Sequence, residues 1–368
     1  MEMLELYVIQ ARYGDCLLLK YGEKKPNYIL IDGGPSGNHE EFIVPALQNV
    51  MKESSCLETV IISHIDNDHI QGIDELLADV KYQKDSNEPP SVSINELWIN
   101  SFRKTVDTGD LEKRMKQVQS VAGSMGIQMQ ATGNIFNGVR QGQSVLLNAR
   151  MLKIPVNPDT DNEVFLVQDK KQIIQKDNIE ITVVGPTTEN LEKLQKKWQK
   201  WVEKNEKKIR DGEYTAKFAA MQDRSIPNLS SLILLVKSEN KSILLTGDCR
   251  GDHLQQGLIK TGLSKDGRFH VDILKVPHHG SKRNVSRDFF EEVTSDTYIL
   301  SANGKHGNPD YETLVWIVET AKEAGRKIKL IFTNETESTQ KLLQNYPETE
   351  WNYETEFMPE GETHLLVK

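Results

Sequence analysis

The sequence predicts an α/β fold whose strands end in chemistry-bearing loops, and three observations carry that reading. Apolar segments of strand length alternate with amphipathic helical segments along the 368 residues. The alternation falls into two halves. In each half an apolar strand runs directly into a loop rich in histidine and aspartate, the place where a rigid scaffold presents reacting groups.

In order, residues 4–32 read as hairpin-linked strands: Leu4–Gln10, a turn at Tyr13-Gly14-Asp15, Cys16–Lys20, and Asn27–Ile31 ending at Asp32-Gly33-Gly34. Phe42, Val44, Leu47 and Met51 give Glu40–Lys52 a helical stripe before the strand Thr59–Ile62. A helix over Gly72–Val80, a polar loop over Asp85–Pro90, a strand over Glu96–Asn100 and a helix over Asp110–Met125 follow. Strand-like runs come at Ser144–Leu147 and Ile179–Val184. Further strands are expected at Leu229–Val236, Ser242–Leu245, Val271–Val276, Thr297–Leu300 and Lys329–Phe332, with helices at Asp288–Val293 and Glu312–Gly325 among the later ones.

Thr188–Ala220 differs in composition. Leu191, Leu194, Trp198, Trp201 and Val202 mark one helical face, and eight lysines and arginines between Lys193 and Arg210 crowd the rest. This predicts a long amphipathic helix. A solvated face over an apolar stripe is its ordinary use; a nucleic-acid or partner surface is the functional alternative.

Composition sets the outer limits. The formal net charge is −9, so any nucleic-acid contact needs a local basic patch. Mean hydropathy is −0.52 and no apolar run reaches membrane-spanning length, so a soluble protein without membrane contact is expected. The start alternates like a strand and lacks a basic leader segment. Cys16, Cys56 and Cys249 are too widely spaced for a disulfide framework or zinc ribbon and fit a reducing cytoplasm.

The densest signal is Ser63-His64-Ile65-Asp66-Asn67-Asp68-His69, directly behind Val60-Ile61-Ile62. A tight turn after a strand can bring His64, Asp66, Asp68 and His69 to one point. Imidazole with carboxylate suits a divalent first-row metal, and this many ligands points to two ions. The plain alternative is a solvated acidic loop with two incidental histidines. Leu244-Leu245-Thr246-Gly247-Asp248, Pro277-His278-His279-Gly280-Ser281 and Gly304-Lys305-His306-Gly307-Asn308-Pro309 repeat the device. Five of the nine histidines lie in such loops, too many for independent surface positions.

Asp32, the His64-x-Asp66-x-Asp68-His69 run, Asp248 and His278, in this order, resemble the metallo-β-lactamase superfamily. More closely, Ile31–Gly34, Ser63–His69, Leu244–Asp248, Val276–Ser281 and Ser301–Pro309 resemble the hydrolase domain of ComEC-type competence DNA-uptake channels, over most of residues 1–335. The resemblance implies a single αββα sandwich domain over 1–368, with residues 187–224 as a helical insertion. It departs from the superfamily pattern in two places: Asp66 stands where histidine is usual, and Asn228 where another imidazole is expected. Both replace nitrogen by oxygen.

Carried over, the superfamily roles place His64 and Asp66 on one ion, helped by Asn228. Asp68, His69 and His278 go to the other, and Asp248 bridges them. Asp32 is implied behind a ligating histidine, and His279 is ligand or neighbour. Asp68 joins Lys305 and His306 as catalytic candidates, the last two set to contact a phosphate or protonate a leaving oxygen. The implied cofactors are two divalent ions, Zn²⁺ or Mn²⁺, with Mg²⁺ as a third choice. The implied function is metal-dependent phosphodiester hydrolysis with nucleic acid, first DNA, as substrate. The alternatives are hydrolysis of a small ester, lactone or nucleotide, or a metal-poor module that binds a protein partner in a multi-gene system.

Overall fold

The computed structural model describes residues 3–52, 54–100, 130–160, 164–167, 172–211 and 230–368, together with 114, 117 and 120. In the first half lie β1 (Met3–Ile9), β2 (Leu17–Gly22), β3 (Asn27–Ile31), β4 (Cys56–Ile62) and β5 (Ser93–Ile99). The second half holds β6 (Ile173–Lys176), β7 (Ile179–Gly185), β8 (Ile233–Lys237), β9 (Ser242–Leu245), β10 (Phe269–Lys275), β11 (Val293–Leu300), β12 (Ile328–Phe332) and β13 (Tyr353–Phe357). The last strand, β14 (His364–Val367), returns to pair with β1.

These strands form two mixed sheets, ordered β14-β1-β2-β3-β4-β5 and β13-β12-β11-β10-β9-β8-β7-β6. Strands β3, β4 and β5 run parallel, as do β9 through β13. Helices α1 (Val44–Val50), α2 (Asn67–Asp85), α3 (Gln130–Leu152) and α4 (Thr188–Arg210) belong to the first half and the connection. Helices α5 (Gly251–Lys260), α6 (Arg287–Glu292), α7 (Tyr311–Glu323), α8 (Glu337–Asn345) and α9 (Glu348–Trp351) belong to the second.

Strand alternation explains the layers. Ile61 faces the second sheet and packs near Leu234, Leu245 and Ile273, whereas Val60 and Ile62 point the other way, among Ile70, Ile73 and Leu77 of α2. On the second sheet Ile243 and Leu245 face inward, and Leu244 faces Leu254, Leu258 and Phe290 on the helical side. Three cores therefore stack as helices, sheet, sheet, helices. Among the described residues no helix is long and apolar enough to cross a membrane.

Several expectations need correction. Ser144–Leu147 is not a strand but part of α3, because the buried positions Gln141, Val145 and Ala149 recur at helical spacing. The helix expected from Gly72 begins at Asn67, inside the histidine-aspartate motif. The second-half strand starts at Ile233 rather than Leu229. The Asp110–Met125 helix, the chain beyond Asp211 as far as Leu229, and with it Asn228, lie outside the described residues, apart from helical Arg114, Gln117 and Ser120. Helix α4 packs Leu194, Trp201 and Val202 into the first core and leaves Lys193, Lys196, Lys197 and Lys200 exposed.

Candidate metal centre

The parallel runs place the carboxyl ends of β3, β4, β9 and β10 on one edge of the sandwich, where ligands of α/β sheets are usually met. The Leu232 N–H donates to the Ser63 carbonyl at 2.8 Å and ties the sheets together there. A close backbone approach sets the depth of the motif turn. A Cβ on Gly72 of α2 would stand 2.0 Å from the Gly33 carbonyl oxygen, and one on Gly33 would stand 2.4 Å from the Ile73 nitrogen. Only glycines on both sides let the helix settle on the end of β3.

Asp32 adopts φ 56°. That turns its carboxylate back over β4, where Oδ1 accepts the Ser63 backbone N–H at 2.7 Å and Oδ2 the Ser63 hydroxyl at 2.7 Å. Oδ2 also lies 2.9 Å from His69 Nδ1. Asp66 precedes α2 without capping it, so its carboxylate is left for the site, 3.7 Å from His64 Nε2.

Asp248 is the hub. Its Oδ2 lies 3.7 Å from His64 Nε2 and 3.5 Å from His278 Nε2. Its Oδ1 lies 3.2 Å from His69 Nε2 and 3.5 Å from His279 Nε2. The turn after β10 makes this split possible, since His278 and His279 both adopt left-handed backbone conformations, at φ 47° and 54°. Consecutive residues then send their rings to different oxygens of one carboxylate. His279 Nε2 is also 3.6 Å from Asp68 Oδ2. The group beside Asp68 and His69 is thus His279, where the motif order pointed to His278.

The electrostatics are those of a cation site. Burial opposes charge on His69 and His279, yet Asp248 with Asp32 outweighs it and raises His69 well above the ordinary range. Asp248 with Asp15 pushes His279 up to about 10. Burial likewise opposes charge on Asp248, but His278, His69 and His279 hold its carboxyl well below the usual range. Nε2 of His64, His69 and His279 and Oδ1 of Asp248 are buried, with no hydrogen bond of good geometry among the described residues. Buried polar atoms rarely stay so. Four sets among the described residues (His64, His69, Asp248; Asp68, His69, His279; Asp15, Asp248, His279; Asp15, Asp32, His69) bring ligand atoms within 4.8 Å of one another. These clustered groups could bind a metal ion.

Lys305 and His306 lie on an exposed loop against Tyr13, with Lys305 Nζ 3.7 Å from the ring centroid and the His306 ring edge-on at 5.3 Å. Sequence reasoning missed two participants, Asp15 and Lys275, both buried at this edge. The signal for Lys275 was present: it shares the inward parity of Ile273, whereas the strand's other polar residues, His270 and Asp272, have the opposite parity. Asp15 closed Tyr13-Gly14-Asp15, which read only as a turn.

No protein-family model matches the chain. ComE operon protein 3 of Bacillus subtilis (strain 168) is 29% identical over 108 residues, 29% of this chain and 13% of that protein, so the match spans a small part of the relative. This agrees with the resemblance drawn from the motifs. Among solved structures, the long form of RNase Z from yeast is similar at a TM-score of 0.34 and 9% identity, over 81% of this chain and 36% of that one.

Proposed function

We propose that the chain is a metal-dependent hydrolase of the metallo-β-lactamase kind, acting on phosphodiesters with DNA as first substrate. The observation that carries the reading is the division of four buried or half-buried imidazoles between the two oxygens of Asp248. One cation would take His64, Asp66, His278 and Asp248. The other would take Asp68, His69, His279 and the same Asp248. With His278 and His279 on opposite sides, the nitrogen lost at residues 66 and 228 is partly restored, which favours Zn²⁺ or Mn²⁺ over Mg²⁺.

Bound cations would supply Lewis-acid stabilisation of charge on a phosphoryl oxygen and acidify a water. The protein's own part is orientation. Asp32 holds the His69 ring by its Nδ1, and Asn284 holds His278 with Oδ1 2.9 Å from Nδ1. Lys305 and His306, beside Tyr13 on an exposed loop, are the candidates for contacting the phosphate and protonating the leaving oxygen. The choice of DNA rests on the likeness to the competence relative and on the exposed lysines of α4.

The test is elemental analysis of the purified full chain, then hydrolysis of single-stranded DNA, duplex DNA, RNA and a chromogenic phosphodiester with Zn²⁺, Mn²⁺ or Mg²⁺. Metal-dependent cleavage of DNA, abolished in Asp248→Asn, is expected. Cleavage of a small ester or lactone alone would replace the phosphodiester reading, and a chain that binds no metal would overturn it.

A further inference from the structure

We propose that Asp15 and Lys275 act as a positioning pair for His279, holding its ring so that Nε2 faces Asp68 and Asp248. The inference rests on the metal-centre reading above and adds two residues to it. Asp15 Oδ1 lies 3.2 Å from His279 Nδ1, and Asp15 Oδ2 lies 2.7 Å from Lys275 Nζ. Lys275 Nζ also donates to the Val276 carbonyl at 3.1 Å. All three residues are at most 2% exposed.

Backbone contacts fix the turn that carries Asp15. A Cβ on Gly14 would stand 1.9 Å from the Asp68 carbonyl oxygen, so the Asp15 turn lies directly on the histidine-aspartate motif. The Asp15 N–H donates to that oxygen at 3.2 Å, and the Asp15 carbonyl accepts from the Gly34 N–H at 2.8 Å. One short turn therefore links Asp68, Asp32's own loop and His279.

The arrangement parallels that of His69, whose Nδ1 is hydrogen-bonded to Asp32, but here the contact is one of charge, because neither Asp15 Oδ1 nor His279 Nδ1 completes a hydrogen bond of good geometry among the described residues. Asp32 is satisfied by the neutral Ser63 donors, whereas Asp15 is compensated by an ammonium. A buried ion pair returns little net stability for the desolvation it costs. Placement directly behind His279 gives this pair a use, since a carboxylate held beside Nδ1 draws the ring's proton to that side and turns Nε2 toward Asp68 and Asp248.

The experiment compares full-length wild type, Asp15→Asn and the double variant Asp15→Asn/Lys275→Met by titration with Mn²⁺ and Zn²⁺, alongside thermal unfolding of the metal-free proteins. Wild type should bind two ions. Asp15→Asn should keep the first and bind the second about 10–100-fold more weakly. The double variant removes both buried charges, so its unfolding temperature should recover toward wild type while the weak second site persists. Wild-type affinity in Asp15→Asn, or recovery of affinity together with stability in the double variant, would make the pair structural and overturn the proposal. A wild type that binds no metal would overturn this inference and the metal reading together; a wild type that binds two ions beside an unaffected Asp15→Asn overturns this inference alone.

Discussion

His69 Nδ1 lies 2.9 Å from Asp32 Oδ2, and that contact decides what the other side of the ring can do. A carboxylate at Nδ1 holds a proton there, so a cation bound beside Asp248 would find the Nε2 side of the ring available to it. Because Asp32 sits at φ 56°, a conformation asparagine also tolerates, Asp32→Asn removes the charge without disturbing the turn. Metal affinity measured by chelator competition should fall about 10–100-fold. The fold should lose about 1–3 kcal/mol by denaturant unfolding, through weaker support of the buried Ser63 donors.

The glycine contact beneath the motif makes a separate prediction about stability. Gly72→Ala drives a methyl to 2.0 Å from the Gly33 carbonyl oxygen, a backbone atom with nowhere to go. Overpacking of this kind costs about 1–3 kcal/mol, visible as a lower denaturant midpoint and as weaker metal binding. Gly142→Ala is the control. It lies within α3, where the nearest atom to a new Cβ is Ile65 Cγ2 at 3.6 Å. Its stability should rise, by about 0.5–1 kcal/mol, through helix propensity.

Helix α4 tests the substrate class. Lys196, Lys197, Lys200 and Lys204 are exposed on a helix anchored by Leu194, Trp201 and Val202. Replacing all four by glutamine should weaken binding of single-stranded DNA and flatten its dependence on salt, by about 0.7 in the log–log slope for each phosphate left without a cation. Turnover of a small chromogenic phosphodiester should be unchanged. Equal loss on both substrates would make the helix structural, and no loss on either would leave its lysines a solvated face.

A pH effect is expected away from the metal centre. Burial lowers the pKa of His39, and Asp79, Glu75 and Glu40 offset this only in part. The unfolded chain then takes up a proton more readily than the folded one. Stability is therefore full above the unfolded value of 6.5 and declines as the pH falls below it. The drop in urea midpoint between about pH 7.5 and about pH 5.5 should be smaller in His39→Gln than in wild type.

How much of this was legible in the chain varies by residue. Short continuous apolar runs placed most central strands, because a strand buried on both faces has no polar side to alternate with. The short run Ser144–Leu147 misled for the same reason, since four apolar-rich residues fit either period. Strand β14 was invisible because its partner, β1, lies at the other end of the chain. The density of His64, Asp66, Asp68 and His69 was enough to single out the turn that joins the buried cluster around Asp248.

The amino-acid order by itself determined the α/β class, the strand-end location of the chemistry and the ligand types on offer, since each of these depends on residues close in sequence. Tertiary structure alone decided which histidine faces which oxygen of Asp248. Parallel neighbours β9 and β10 bring Asp248 and the His278-His279 turn to one edge, and two left-handed residues then separate the rings. It also decided that Asp15 and Lys275, 260 positions apart, meet at 2.7 Å behind His279. No local pattern encodes such a meeting, because it is set by the stacking of two sheets whose strands, β14 apart, come from opposite halves of the chain.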